Sequence, residues 1–277
     1  MNRKSIVKLI TFTTVSIAAI NKCVSILANM NNCFNKDNFL TYKSKFGNIK
    51  YRKIGTGSPI LLIHNLSIGD NINEWNYIVE HLSINHTVYT LNLPGCGNSD
   101  KNNFLYTNFM YVKLIIDFIN DIISSKTDIV TSGSSNRIAV MTELYNSNVI
   151  KNIVMINPSE PSTVKLNHII GKIINTPILG TFIYNCIFSK KYCLKNTDNN
   201  FRLNEYMNTY YDSIHYKGSK SKYLFTSIIM GKTYINYQHA IKNITKETFT
   251  YMDNTHLYPH IETPEKTAEY ILSNIDK

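Results

Sequence analysis

The sequence predicts an α/β protein: a mostly parallel sheet with helices on both faces and a helical cap inserted late in the chain. Three observations carry that expectation. Short apolar runs alternate with amphipathic stretches of helical length, the pattern of parallel strands joined by right-handed crossovers. One run, PILLIH at 59–64, is almost wholly apolar, as in a strand covered on both faces. Small and turn-forming residues follow several of these runs, at the carboxyl strand ends where open α/β sheets gather their sites.

The first element stands apart from the rest. Arg3, Lys4 and Lys8 precede an uncharged, mostly apolar run over 9–21, which Lys22 interrupts. That run alone is shorter than the roughly 20 residues a bilayer requires. If Lys22 lies at an interface, the apolar stretch continues through residue 28 and reaches spanning length. Residues 1–30 are therefore expected to form an N-terminal membrane anchor or a signal segment. The anchor is preferred because Ser16-Ile17-Ala18-Ala19 makes a poor cleavage site. Lysines on both sides leave the membrane face undetermined. The polar, Asn-rich stretch 31–38 reads as a linker, and 39–277 as the folded domain.

Within that domain, 40–45 and 49–54 read as a hairpin pair and 59–64 as the buried strand. A helix over 73–82 would place Trp75, Ile78, Val79 and Leu82 on one stripe. A strand at 88–93, a long helix within 103–124, a strand at 128–132, a helix at 136–145 and a strand at 153–157 continue the alternation. Residues from about 161 to 223 break it with helical, Ile- and Tyr-rich sequence and no clean strand, and read as the cap. A last strand at 248–252 and a helix at 264–275 close the chain.

Composition excludes several classes. With 43% hydrophobic and 17% charged residues the chain can build a core and is not a disordered segment. Lys and Arg number 29 against 19 Asp and Glu, a net charge of +10, yet no basic-aromatic module accompanies the excess, so no nucleic-acid partner is expected. The five cysteines include no C-x-x-C pair, and the eight histidines show no ligand spacing, so neither a zinc site nor a disulfide framework is implied.

The residues after each strand carry the chemistry. Asn65, Leu66 and Ser67 follow PILLIH; Leu93-Pro94-Gly95-Cys96-Gly97-Asn98-Ser99-Asp100 ends the next strand. Ser132-Gly133-Ser134-Ser135-Asn136 joins a strand directly to a helix. Ile156-Asn157-Pro158-Ser159-Glu160 ends a fourth strand, and His256 with Pro259-His260-Ile261-Glu262 follows the last. In this order and spacing the set resembles the α/β-hydrolase superfamily over residues 46–275. Asn92 stands where many members carry Asp.

The resemblance implies a serine nucleophile on a strained strand-to-helix elbow of the form G-x-S-x-G. Aligned on that motif, Ser134 is the nucleophile, with Ser132 and Asn136 in place of the flanking glycines. It also implies two backbone NH groups for the oxyanion, from Leu66 and Ser135, and a histidine base in the loop after the last strand. His256 is the first choice although one residue out of the usual spacing before Pro259, and His260 is the fallback. The acid is missing after the penultimate strand, which leaves Glu160 as its best substitute and Asp253 as a second. No metal or organic cofactor is implied. The expected activity is that of a membrane-tethered serine hydrolase cleaving an ester or other acyl compound, with a small-molecule acyl substrate. The alternative is a catalytically impaired pseudo-hydrolase that binds a hydrophobic ligand or a partner, which the missing acid and altered glycines favour.

Overall fold

A computed structural model describes residues 2–30, 32–35, 38–158, 168–194, 200–233, 249–252 and 258–275. The first helix, α1 (Arg3–Met30), runs without a break through Lys22. Its first half carries exposed apolar side chains such as Val7, Ile10, Phe12 and Val15. It is long and apolar enough to cross a membrane. The second half docks on the cap, burying Ala28. The stretch expected to be a linker is packed where it is described: Asn32 and Phe34 are buried, and the Cys33 amide donates to Asp212 Oδ2 at 2.8 Å.

The domain is built on seven strands: β1 (Leu40–Ser44), β2 (Gly47–Ile54), β3 (Ser58–Ile63), β4 (His86–Leu91), β5 (Thr127–Ser132), β6 (Ile150–Ile156) and β7 (Phe249–Met252). They lie in the order β1-β2-β4-β3-β5-β6-β7. The β1–β2 and β2–β4 pairs are antiparallel, and every later pair is parallel. Four helices flank this sheet: α2 (Asn76–Leu82), α3 (Asn108–Phe118), α4 (Asn136–Tyr145) and, last in the chain, a helix over Pro264–Ile275.

The PILLI run shows why the sheet is covered twice. Successive strand side chains point to opposite faces, so Ile60 and Leu62 meet Trp75, Ile78, Leu82 and Ile271 on one side. Leu61 and Ile63 pack with Leu114, Ile115, Ile138 and Ala139 on the other. Each such fully buried aliphatic side chain contributes roughly 1.5–3 kcal/mol. Trp75, with no exposed surface, anchors the first layer; truncating it to Ala would cost about 3–5 kcal/mol.

The cap lies between β6 and β7 in sequence. Its described helices are α5 (His168–Ile174), α6 (Leu179–Ile187), α7 (Lys190–Cys193), α8 (Phe201–His215) and α9 (Lys222–Ile229). A short helix, α10 (Pro259–Glu262), leads into the final helix, α11 (Pro264–Ile275). None of the five cysteines forms a disulfide.

Candidate functional site

The strand-to-helix junction after β5 forms as expected, with its register moved by one residue. β5 ends at Ser132, and the short 3-10 turn Gly133–Ser135 follows. Gly133 takes the strained position, at φ +52. The described non-glycine residues with positive φ are Ser124, Asn157 and Lys217, and Ser134 is not among them. A glycine is required at this apex for a second reason: a Cβ there would stand 2.5 Å from Asn65 Oδ1. The G-x-S-x-G alignment expected Ser134 at the apex; the backbone puts Gly133 there and Ser134 one step into the turn.

The flanking residues fit that shifted frame. Ser135 has no exposed surface, and its hydroxyl donates to Ser132 O at 2.8 Å, so only a small side chain fits. Asn136 is right-handed helical. Its carboxamide ties the start of α4 to two strands, accepting from Thr131 Oγ1 at 2.6 Å and donating to Ile156 O at 3.1 Å.

Asn65 fills the space in front of the elbow. Its Oδ1 accepts from the Ser134 amide at 2.8 Å and lies 2.8 Å from the Ser134 hydroxyl. The same hydroxyl is 2.9 Å from the carbonyl oxygen of Leu66. Leu66 thus meets Ser134 through its carbonyl oxygen. The amide that bonds Asn65 Oδ1 across the elbow is that of Ser134.

Behind Asn65 lies a buried polar hub that the sequence reading missed. Asn65 Nδ2 donates to Asp70 Oδ2 at 2.7 Å, and the Asn65 amide lies 3.1 Å from Glu74 Oε2. Asp70 Oδ1 accepts from Tyr206 at 2.7 Å and Tyr258 at 3.0 Å. Glu74 accepts the Ser132 hydroxyl, and His260 Nε2 stands 3.2 Å from its Oε1. The imidazole of His260 is also stacked on Trp75, with ring centroids 4.5 Å apart. All of Asp70, Glu74 and His260 are without exposed surface. Burial, reinforced by the Glu74 carboxylate, pushes the Asp70 carboxyl up to about 7. The signal available in the sequence was two carboxylates four residues apart around a short turn ahead of Trp75.

His64 is structural. Its Nε2 accepts from the Leu93 amide at 3.0 Å, so the ring proton is on Nδ1, which donates to Asn65 O at 2.8 Å. Burial holds its pKa below the ordinary value and keeps the ring neutral. His256, Glu160 and Asp253 lie outside the described residues. Two cavities, of about 240 and 160 Å³, open near Tyr216, and neither is lined by Ser134, Asn65 or Leu66. Among the described residues no three His, Cys, Asp or Glu side chains converge as a metal ligand set.

No family model and no curated protein matches the chain. Many solved structures do. An epoxide hydrolase from Vigna radiata is 14% identical at a TM-score of 0.63, over 86% of this chain and 97% of its own. The enol-lactonase from Burkholderia xenovorans is 12% identical at a TM-score of 0.66, over 86% and 100%. A membrane phospholipase A described as a bacterial virulence factor is 14% identical at a TM-score of 0.63, over 99% of this chain and 98% of its own. The chain has the α/β-hydrolase fold, as its sequence led us to expect.

Proposed function

We propose that this chain is a membrane-tethered pseudo-hydrolase: an α/β-hydrolase fold whose elbow has been closed from within and which binds a hydrophobic ligand or a partner. One observation supports this above the others. The strained residue of the elbow is Gly133, which has no side chain to act as a nucleophile, and the amide that follows it is taken by Asn65 Oδ1. A reacting carbonyl would have to displace that carboxamide, which is itself held by Asp70. The hub further links the cap, through Tyr206, to the sheet side of the molecule, so the closed site serves as a fastening. Membrane tethering is supported by α1, whose most apolar window contains no buried residue.

A second reading keeps the chemistry. Ser134 is half-buried at the start of a helix, where the backbone dipole favours an anion. On that reading it would attack an acyl carbonyl, with His256 as base, Glu160 as orienting acid and the Leu66 and Ser135 amides around the oxyanion. The hydrolases among the structural neighbours support it.

A fluorophosphonate probe separates the two. Incubated with the full chain in mild detergent from about pH 6 to about pH 9, the range in which a histidine base operates, the probe should leave the wild type unlabelled. Labelling of the wild type that is lost in Ser134→Ala would overturn the pseudo-hydrolase reading and establish the second.

A further inference from the structure

The outward side of the cap carries apolar residues in a place where they adjoin α1. On α5, Ile170 and Ile173 are 38% and 41% exposed and share a face by their helical spacing. Ile178, in the turn that joins α5 to α6, and Leu179, the first residue of α6, are 38% and 51% exposed. Single exposed aliphatic residues are ordinary, but a set that is close in sequence, on one hairpin, marks a contact surface.

The position of α1 indicates what covers this surface. Asn21 Nδ2 donates to Ile178 O at 2.9 Å, and Asn185 Nδ2 donates to Asn21 Oδ1 at 3.1 Å, so the α5–α6 turn lies against α1 at the level of Asn21. From Lys4 to Asn21 the helix measures about 26 Å at ~1.5 Å per residue, close to the roughly 30 Å of a bilayer's hydrocarbon core. With Arg3 and Lys4 at one boundary and the long Lys8 side chain reaching back to it, Asn21 and Lys22 fall at the other. The Ile178–Leu179 turn then lies in that boundary plane.

The turn is also held in shape. Lys222 Nζ donates to Thr176 O at 2.9 Å and to Thr181 Oγ1 at 3.1 Å. The Gly180 amide donates to Thr176 Oγ1 at 2.9 Å. Its apolar side chains are therefore presented to solvent by a braced backbone, which lowers the entropic cost of inserting them elsewhere.

We propose that the α5–α6 hairpin is a second membrane contact, in which Ile173, Ile178 and Leu179 enter the interfacial layer of the same bilayer that α1 crosses. This rests on the reading of α1 as an anchor. The contact is apolar and shallow, of the kind made by interfacial elements beside a spanning helix, and it fixes the cap at the lipid surface.

The test uses the full chain with Cys23, Cys33 and Cys186 replaced by Ser, carrying one new thiol at Leu179→Cys, Ile173→Cys or Thr13→Cys. Each is labelled with an environment-sensitive fluorophore and reconstituted in phosphatidylcholine vesicles that contain lipids spin-labelled near the headgroup or near the chain end. The expected result is a blue shift at Leu179→Cys and Ile173→Cys with quenching by the shallow spin label, and quenching at Thr13→Cys by the deep one. If Thr13→Cys is quenched while both cap positions keep the emission of a water-exposed label, the second contact is overturned and the anchor stands. If Thr13→Cys is also unquenched, the anchor fails and this inference with it.

Discussion

The carboxamide oxygen of Asn65 lies 2.8 Å from both the amide nitrogen and the hydroxyl oxygen of Ser134. One acceptor from the chain itself therefore occupies the ground on which an attacking hydroxyl and an oxyanion donor would have to work. Asn65→Ala leaves the Ser134 amide and Asp70 Oδ2 each short of a partner. The expected loss is about 1–3 kcal/mol, the cost of stranding a buried polar group. Urea unfolding of the full chain in detergent would show it as a lower midpoint at unchanged slope. An unchanged midpoint would mean that water replaces the carboxamide without cost.

Gly133→Ala places a Cβ at positive φ and against Asn65 Oδ1. The expected cost is roughly 2–4 kcal/mol, strain and overlap together. Adding Asn65→Gly removes the overlap and leaves the strain, so the pair should be less than additive. A double-mutant cycle by thermal unfolding checks this. Additive losses would show that the two residues do not touch.

The Tyr206 hydroxyl is the cap's grip on Asp70. Tyr206→Phe should cost about 1–3 kcal/mol, as for other hydrogen bonds to a charged or partly charged group, and should expose the cap to earlier proteolytic cleavage. Tyr77→Phe is the control. Its partner Glu205 is bonded at 2.6 Å on the exposed side of the molecule, and its loss should stay within about 0.5 kcal/mol. Equal sensitivity of the two variants would argue against a role for the hub in fastening the cap.

Two buried groups give stability opposite slopes on either side of neutrality. Asp70 ordinarily titrates at 3.8 and burial carries it to about 7, so across that window the unfolded chain has released a proton that the folded chain keeps. Stability contributed by this group falls as pH rises from about 4 to about 7. Lys101 is pushed by burial from 10.5 down to about 7, so above neutrality the unfolded chain holds a proton that the folded chain has lost. Stability then rises with pH toward about 10. His64, held neutral by burial, adds a rise below its ordinary 6.5 that offsets part of the acid limb. Chemical denaturation across this range should find a minimum near pH 7. Asp70→Asn should flatten the acid limb and Lys101→Met the alkaline one; unchanged limbs would refute the assignments.

Much of the fold was legible because it is written locally. The PILLI alternation fixes both faces of β3, and the helices expected at 136–145 and 264–275 are those observed. Asn92, which stands where many members carry Asp, accepts from the Ile72 amide at 2.8 Å and donates to Asn98 Oδ1 at 2.8 Å. The elbow's register was not legible. Gly133-Ser134-Ser135 offers two hydroxyls in nearly the same local setting, and which residue takes the bend depends on where β5 stops pairing with β3 and β6. The acidic hub was hidden for a similar reason: the buried partners of Asp70 and Glu74, Tyr206 and Tyr258, arrive from far along the chain. Phe34 likewise looked like part of a tether and is buried against Tyr216, with ring centroids 5.9 Å apart.

The way α1 is seated has a mechanical meaning. Asn29 donates to His215 O at 2.9 Å and accepts from the Lys217 amide at 2.9 Å, while Asn32 donates to Asp212 O at 3.0 Å. Joined at those points and again at Asn21, the rod and the globe share one heading. Leaning or spinning the rod must swing the globe through the same arc, so whatever grips one end sets the bearing of the other.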